Sequence, residues 1–198
     1  EGCIGFDFGT PTSPIWEKGG FKGITPYTIY EENKEYGWVK KGNLLSREDA
    51  SAEDVLRKDY CSSDEDAEFR IDLKNGKYRV YIITGGIPNY PNFYIKVNNK
   101  KVWYLSTSSR RDIVLNRSAI VHSGFEVEVK DNFLLLEFTS PFMINGMIVY
   151  PVECKEKAEK EITKLIEDYY LPVCQKVKEE KIDEEYIKKV KGKLEEVM

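Results

Sequence analysis

The 198-residue chain has few of the residues on which nucleophilic and metal chemistry depend. It contains a single histidine, His122, in the apolar stretch AIVHSGF, and its four cysteines show no CxxC spacing. A structural zinc site is therefore disfavoured. The motifs GxSxG, HExxH and the phosphate-binding glycine loop do not occur. We expect no catalytic residue, and a carboxylate-pair glycosidase remains the enzymatic alternative because 34 residues are acidic.

Long apolar runs and an excess of positive charge are also missing. No stretch approaches the roughly 20 apolar residues that span a bilayer, and the net charge of −4 gives no basic footprint for nucleic acid. The chain starts at Glu1 without signal-peptide regions, which suggests a mature form or an excised module. Its 23 glutamates and 23 lysines against one glutamine are typical of proteins from thermophiles.

The stretch 69–86 predicts a central β-hairpin. Asn75-Gly76 favours a type I′ turn, which needs positive φ at both central residues. Folding the chain there aligns three apolar pairs on one face, namely Leu73 with Tyr78, Ile71 with Val80 and Phe69 with Ile82. The other face receives the opposite-charge pair Asp72 and Arg79.

Short strand patterns recur on both sides of this hairpin. Residues 3–8 alternate in polarity, 93–105 form two strands around the turn signal Asn98-Asn99, and more strands follow between 111 and 150. Roughly ten short strands predict a mainly β fold, an antiparallel β-sandwich of the jelly-roll type, over residues 1–152. Beyond it, helical spacing of apolar residues predicts a C-terminal extension of two or three short helices over 153–198.

The order of several short motifs is distinctive: FDFG at 6–9, YGW at 36–38, Arg47, Asp59, and F-x-x-x-L-x-N-G-x-Y-x-V at 69–80. In this order the chain resembles, over about residues 3–151, the galactose-binding-like jelly-roll domains at the N-termini of β-agarase and rhamnogalacturonan acetylesterase-type proteins. Malectin and several carbohydrate-binding modules are relatives of these domains. The family pattern has Gly-Asp where this chain has Gly85-Gly86, so the role of that aspartate does not carry over.

The resemblance implies a ligand site in loops at one edge of the sandwich. The corresponding loops are 10–22, 30–47, 86–92 and 139–146. In malectin-like domains aromatic residues after the second hairpin strand touch sugar, and Asn89-Tyr90 stand at that place. The termini of jelly rolls commonly neighbour one another, so we also expect Cys3 and Cys154 to lie close together.

A sugar site needs a flat aromatic group beside planar hydrogen-bonding groups. We expect the aromatic platform from Trp16, Trp38 or Tyr90, and the hydrogen bonds from Arg47, Asn89 and Asn145.

Each of these assignments has a structural alternative. Trp38 would then pack in the core, and Arg47 would form a salt bridge with Asp59 that pins the long loop. The acidic residues Asp64, Glu65, Asp66 and Glu68 lack the spacing of a calcium loop and favour a solvated patch, with structural calcium as the alternative. No other cofactor is indicated.

These observations predict a noncatalytic carbohydrate-binding module of a larger, secreted, polysaccharide-degrading protein. Its partners would be cell-wall polysaccharides or oligosaccharides, with galactose- or rhamnose-containing chains first, and a neighbouring catalytic domain. Two alternatives stay open. One is a structural accessory module that orients a catalytic domain without binding sugar, and the other is a small glycosidase or esterase.

Overall fold

A computed structural model describes residues 3–15, 20–48, 55–85, 92–105, 119–121 and 124–154. They belong to the unit Glu1–Lys155, and the second unit, Glu156–Met198, lies outside the description together with the predicted helices. The described part is mainly β, as the sequence predicts. Its α-helix, α1 (Val55–Lys58), is short, and no helix of the described residues is long and apolar enough to cross a membrane.

Fourteen strands are present in this part of the chain. They are β1 (Ile4–Phe8), β2 (Lys22–Ile24), β3 (Tyr36–Lys40), β4 (Leu45–Glu48), β5 (Asp59–Ser63), β6 (Ala67–Asp72), β7 (Gly76–Gly85), β8 (Phe93–Val97), β9 (Lys100–Leu105), β10 (Ala119–Val121), β11 (Phe125–Val129), β12 (Phe133–Phe138), β13 (Phe142–Ile144) and β14 (Gly146–Pro151). A 3₁₀ turn, Val152–Cys154, follows the last strand.

Two larger sheets form a sandwich. The six-stranded sheet has the order β10-β7-β14-β1-β2, with β11 also paired to β7, and the five-stranded sheet has the order β3-β6-β12-β8-β9. All pairs in them are antiparallel except β1 with β2. The first and last strands of the sandwich, β1 and β14, are neighbours, but the side chain of Cys154 is not described, so its proximity to Cys3 stays a prediction.

The core between the two sheets is aromatic. Phe69 of the five-stranded sheet packs edge-on against Phe6 and Phe8 of the six-stranded sheet, each with ring centroids 5.4 Å apart. All three side chains are fully buried. Such edge-to-face contacts add about 0.5–1.5 kcal/mol per pair to the burial of the rings. Aromatic packing between the two sheets therefore holds the FDFG strand, β1, in place.

The predicted pairing of β6 with β7 in a hairpin at Asn75-Gly76 is wrong. Strand β6 pairs with β3 and β12, whereas β7 pairs with β10, β11 and β14, so the chain crosses from one sheet to the other between them. The predicted faces are nevertheless buried, because both strands turn their alternate apolar residues toward the shared core. Arg79 pairs with Glu126 of β11 at 3.1 Å, and Asp72 pairs with Arg70 of its own strand at 2.7 Å.

The second predicted hairpin is confirmed. Strands β8 and β9 pair across Asn98 and Asn99, whose φ angles are 51° and 61°. Asparagine tolerates this left-handed conformation better than most residues, and both central positions of a type I′ turn require it.

A third sheet of three strands, in the order β13-β5-β4, joins the sandwich at one edge. Its central strand, β5, alternates: Asp59, Cys61 and Ser63 lie on one face, and Tyr60 and Ser62 on the other. The thiol of Cys61 is buried near the carbonyl oxygens of Gly9 and Ile24, at 3.7 and 3.8 Å. The face of β5 that carries Cys61 therefore points to the sandwich. On the other face Tyr60 is buried, 7% exposed, and Ser62 is half-buried.

Candidate functional site

The small sheet is fixed to the sandwich by polar groups at the end of β1. The Asp59 carboxylate accepts a hydrogen bond from the Thr10 amide at 3.2 Å, and Nδ2 of Asn145 donates to the Asp59 carbonyl at 2.9 Å. The carboxylate lies against Gly9 so closely that a Cβ there would be 1.8 Å from Oδ2. Only glycine leaves room for this approach, which explains the last residue of FDFG.

Burial shapes the electrostatics of this junction. The Asp59 side chain is 2% exposed, and this desolvation raises the pKa of its carboxyl, although hydrogen bonds from Ser13 and Thr10 oppose the shift. Burial also raises the pKa of the Cys61 thiol far above its ordinary value, with Asp59 and Asp7 adding to the effect. Cys61 is therefore an unreactive neutral thiol, and the junction is structural.

An open groove of about 910 Å³ lies on the outer side of the small sheet. It is lined by residues 41–45, Arg47, Tyr60, 62–64 and 141–143. The groove thus joins two of the four loops expected to hold ligand, 30–47 and 139–146. Phe142 and Met143 are each 1% exposed, so the core supports this part of the lining.

The walls of the groove combine polar and apolar groups. Arg47 is exposed on the edge strand β4 and pairs in register with Tyr60 of β5, and Leu45 pairs with Ser62. Within the described ranges Arg47 forms no ion pair. Leu45 is 58% exposed, which is high for a leucine side chain on a strand. A guanidinium, hydroxyls and apolar surface therefore stand on one face.

An exposed tyrosine stands beside this groove. Lys41 lines the groove, and its Nζ lies 5.9 Å from the ring centroid of Tyr27. Tyr27 is 74% exposed, at a turn that follows Pro26, and its backbone amide is held by the Thr25 hydroxyl at 3.1 Å. It therefore offers an aromatic face without contributing to the core.

Two of the six predicted binding residues are buried, and their assignment to an exposed site is corrected. Trp38 is 0% exposed, because it lies on the core face of β3 among Phe8, Phe69 and Phe138, and its Nε1 donates to the Thr25 carbonyl at 3.1 Å. Asn145 is 0% exposed, because its side chain is used to hold the start of β5.

The alternative for Arg47, a salt bridge to Asp59, is also wrong. Asp59 pairs in register with Glu48, and Arg47 pairs with Tyr60. Neighbouring residues on a strand point to opposite faces, so Arg47 and Asp59 lie on opposite sides of the small sheet. Of the predicted site residues, Arg47 alone is placed in the groove, and Trp16, Asn89 and Tyr90 lie outside the described residues.

Sequence reasoning missed the groove residues Tyr60 and Ser62 and the neighbouring Tyr27. The alternation in DYCSS at 59–63 is the signal that could have placed Tyr60 and Ser62 on one face. Tyr27 follows a proline in a turn, which is the pattern that drew attention to Tyr90.

The acidic stretch before β6 is tied down by individual hydrogen bonds. Asp66 Oδ1 accepts from the Ser140 amide at 2.7 Å, and this bond is the main cause of the lowered pKa of Asp66. Glu65 accepts from Nδ2 of Asn43 at 3.0 Å. Among the described residues, no three acidic, cysteine or histidine side chains lie close enough together to hold a metal ion.

No protein-family model and no characterised protein matches the sequence. In structure the chain is similar to protein YxiM of Bacillus subtilis (TM-score 0.56, 19% identity) and the plant receptor-like kinase FER (TM-score 0.54, 14% identity). It is also similar to a calcium-binding mutant of β-glucuronidase 2 of Bacteroides uniformis (TM-score 0.54, 14% identity).

Each of these matches covers 76% of this chain. In turn the chain spans 40% of the Bacillus protein, 42% of the plant receptor and 18% of the glucuronidase. At such low identity the likeness shows the fold alone, a β-sandwich that recurs as one part of longer proteins.

Proposed function

We propose that this chain is a noncatalytic carbohydrate-binding module and that glycan binds in the groove over the small sheet. The observation that carries the proposal is the position of Arg47. It is exposed on the edge strand β4 in an open groove, within the segment 30–47 that the family resemblance associates with ligand. A guanidinium donates up to five hydrogen bonds, which suits the hydroxyl groups of a sugar ring.

The remaining lining supports the same ligand class. Sugars combine hydroxyl groups with an apolar C–H face. In the groove, Ser62 and Asn43 can form hydrogen bonds with the hydroxyl groups, and Leu45 can pack against the C–H face. Tyr27 extends this surface with an exposed ring near Lys41. We infer that glycan stacks on Tyr27 and reaches into the groove with its hydroxyls.

The affinity of such a site is modest. Because the groove is open, the ligand stays largely solvated and each contact replaces one with water. We expect a Kd on the order of 10 μM to 1 mM, which corresponds to about −4 to −7 kcal/mol. Secretion and attachment to a catalytic domain in a longer protein belong to the same proposal. The attachment is supported by the share of each neighbour that this fold represents, 40% and 18%.

Isothermal titration calorimetry against plant and algal cell-wall oligosaccharides tests the proposal. The Arg47→Ala variant should bind at least tenfold more weakly, with an unchanged melting temperature because Arg47 is exposed. Lys130→Ala is the matched control, since Lys130 is a cation with a 70% exposed side chain outside the groove. Absence of binding to the whole panel at millimolar ligand would reject the proposal and favour an accessory module that orients a catalytic domain.

A further inference from the structure

The charges that line the groove differ in sign from the chain as a whole. The chain carries a net charge of −4, whereas the groove is lined by two cations, Lys41 and Arg47, and one carboxylate, Asp64. A local excess of positive charge on an acidic protein favours an anionic ligand.

Three described carboxylates around this part of the sheet have other partners. Glu48, the next residue, forms a salt bridge with Lys58 at 2.5 Å. Asp59 accepts from Thr10 on the opposite face of the sheet. Glu65, beside the groove, accepts from Asn43 at 3.0 Å. Asp64, the carboxylate that lines the groove, forms no ion pair with Arg47 among the described residues. The guanidinium of Arg47 is therefore available to a ligand.

We propose that the groove selects glycans that contain uronic acids and that Arg47 binds the sugar carboxylate. This inference rests on the proposed carbohydrate-binding function and specifies its ligand class. The planar guanidinium forms two parallel hydrogen bonds to a carboxylate, a geometry that an ammonium group cannot reproduce. Ser62, half-buried on the same face of the sheet, is placed to contact a neighbouring hydroxyl, and the buried Tyr60 supports Arg47 from below.

The test compares two ligands of equal length that share their sugar rings and hydroxyl groups, an oligogalacturonate and its fully methyl-esterified form, in which an uncharged methyl ester replaces each carboxylate. Titration calorimetry at low and moderate salt should show the acid binding at least tenfold more tightly, with the preference shrinking as salt rises. The ester keeps every hydroxyl and the ring shape, so its loss of affinity reports on the carboxylate.

Variants assign this preference to Arg47. Arg47→Gln should abolish the tenfold preference, and Arg47→Lys should retain only part of it because charge is kept and the planar fork is lost. Lys130→Gln, which removes a cation outside the groove, should leave the preference intact. A circular dichroism melt of each variant verifies that the fold is kept.

The outcomes separate this inference from the proposed function. Equal affinity for acid and ester, or binding of neutral glycans alone, would overturn the uronate inference and leave carbohydrate binding in place. A preference for the acid that survives Arg47→Gln would overturn the assignment to Arg47. Absence of binding to acid, ester and the neutral panel would reject both.

Discussion

The Asp59 carboxylate and the Thr10 amide are joined by a hydrogen bond of 3.2 Å that spans 49 positions of the sequence. The bond ties the first residue of the groove's central strand to the loop that leaves the FDFG strand. Since Asp59 is also 2% exposed, its ionised form is poorly solvated. The junction that positions the groove is therefore sensitive to protonation.

Asp59→Asn should change the pH dependence of stability. Burial raises the pKa of Asp59 in the folded protein above its value of about 3.8 in the unfolded chain. The folded state therefore binds the proton more tightly, so stability from this group increases as pH falls through the folded pKa and levels off below about 3.8. The melting temperature of the wild type minus that of Asp59→Asn should rise from pH 7 to pH 4.

Asparagine is a suitable replacement because its amide oxygen can still accept the bond from Thr10. A difference between the two melting temperatures that falls on acidification would contradict the raised pKa.

Asp66→Asn should have the opposite pH signature. The Ser140 amide, with help from Lys40 and Lys96, lowers the pKa of Asp66 in the folded protein. The stability that this carboxylate provides is present above its unfolded pKa and is lost as pH falls through the lower, folded value. The excess melting temperature of the wild type over Asp66→Asn should therefore shrink as pH decreases below about 4. A difference between the two melting temperatures that is constant between pH 3 and 7 would contradict the lowered pKa of Asp66.

Local signals in the sequence predicted turns and buried faces better than strand partners. Asn98-Asn99 gave the correct hairpin because both residues accept the left-handed conformation that the turn demands. At Asn75-Gly76, the alternation of apolar residues identified the buried faces of β6 and β7. It did not identify their partners, because two strands in facing sheets show the same alternation as two strands paired in one sheet. Of these two turn residues, Gly76 has positive φ (157°) and Asn75 does not. The two residues therefore do not form a type I′ turn, and the chain passes there from one sheet to the other.

The site was harder to predict than the fold. The resemblance led to Arg47, which lies on an exposed edge strand. It also suggested Trp38, which the sequence places in an irregular region rich in charge and glycine. Whether such an aromatic is exposed depends on which face of β3 meets the second sheet, and this is a tertiary property. Tyr60 and Ser62 reach the groove through the pairing of β5 with β4, which no local pattern specifies.

Gly9→Ala should destabilise the protein through a steric clash. The new Cβ would lie 1.8 Å from Oδ2 and 2.3 Å from Cγ of Asp59, a short side chain that is buried and bonded to Thr10. We expect a loss of about 3 kcal/mol in urea denaturation. Gly20→Ala is the control, because its φ of 67° carries strain of about 1 kcal/mol but nothing lies within 4 Å.

The double variant Gly9→Ala, Asp59→Ala should be more stable than the sum of the two single changes predicts. Removing the Asp59 carboxylate also removes the group with which the new Cβ of residue 9 would clash. Additive losses would show that Gly9 is required for a reason other than its contact with Asp59.

Trp38→Ala should destabilise the folded protein rather than affect ligand binding directly. The side chain is fully buried against Phe8, Phe69 and Phe138. Its truncation should cost about 3–5 kcal/mol in urea denaturation. Trp38→Phe should cost less because it keeps one ring, although the Thr25 carbonyl loses its donor. A stability unchanged by Trp38→Ala would mean that this tryptophan is not a core residue.

Tyr27→Ala should give the converse result. The ring is 74% exposed, so its removal should change the free energy of unfolding by no more than about 0.5 kcal/mol. If glycan stacks on this ring, the same change should weaken oligosaccharide binding in titration calorimetry by about tenfold, because a stacked aromatic contributes on the order of 1 kcal/mol or more. Tyr27→Phe is the matched variant, since it keeps the flat face and should retain most of the affinity. Unaltered binding by Tyr27→Ala alongside weakened binding by Arg47→Ala would confine the ligand to the groove, and unaltered binding by both would place any glycan site elsewhere on the chain.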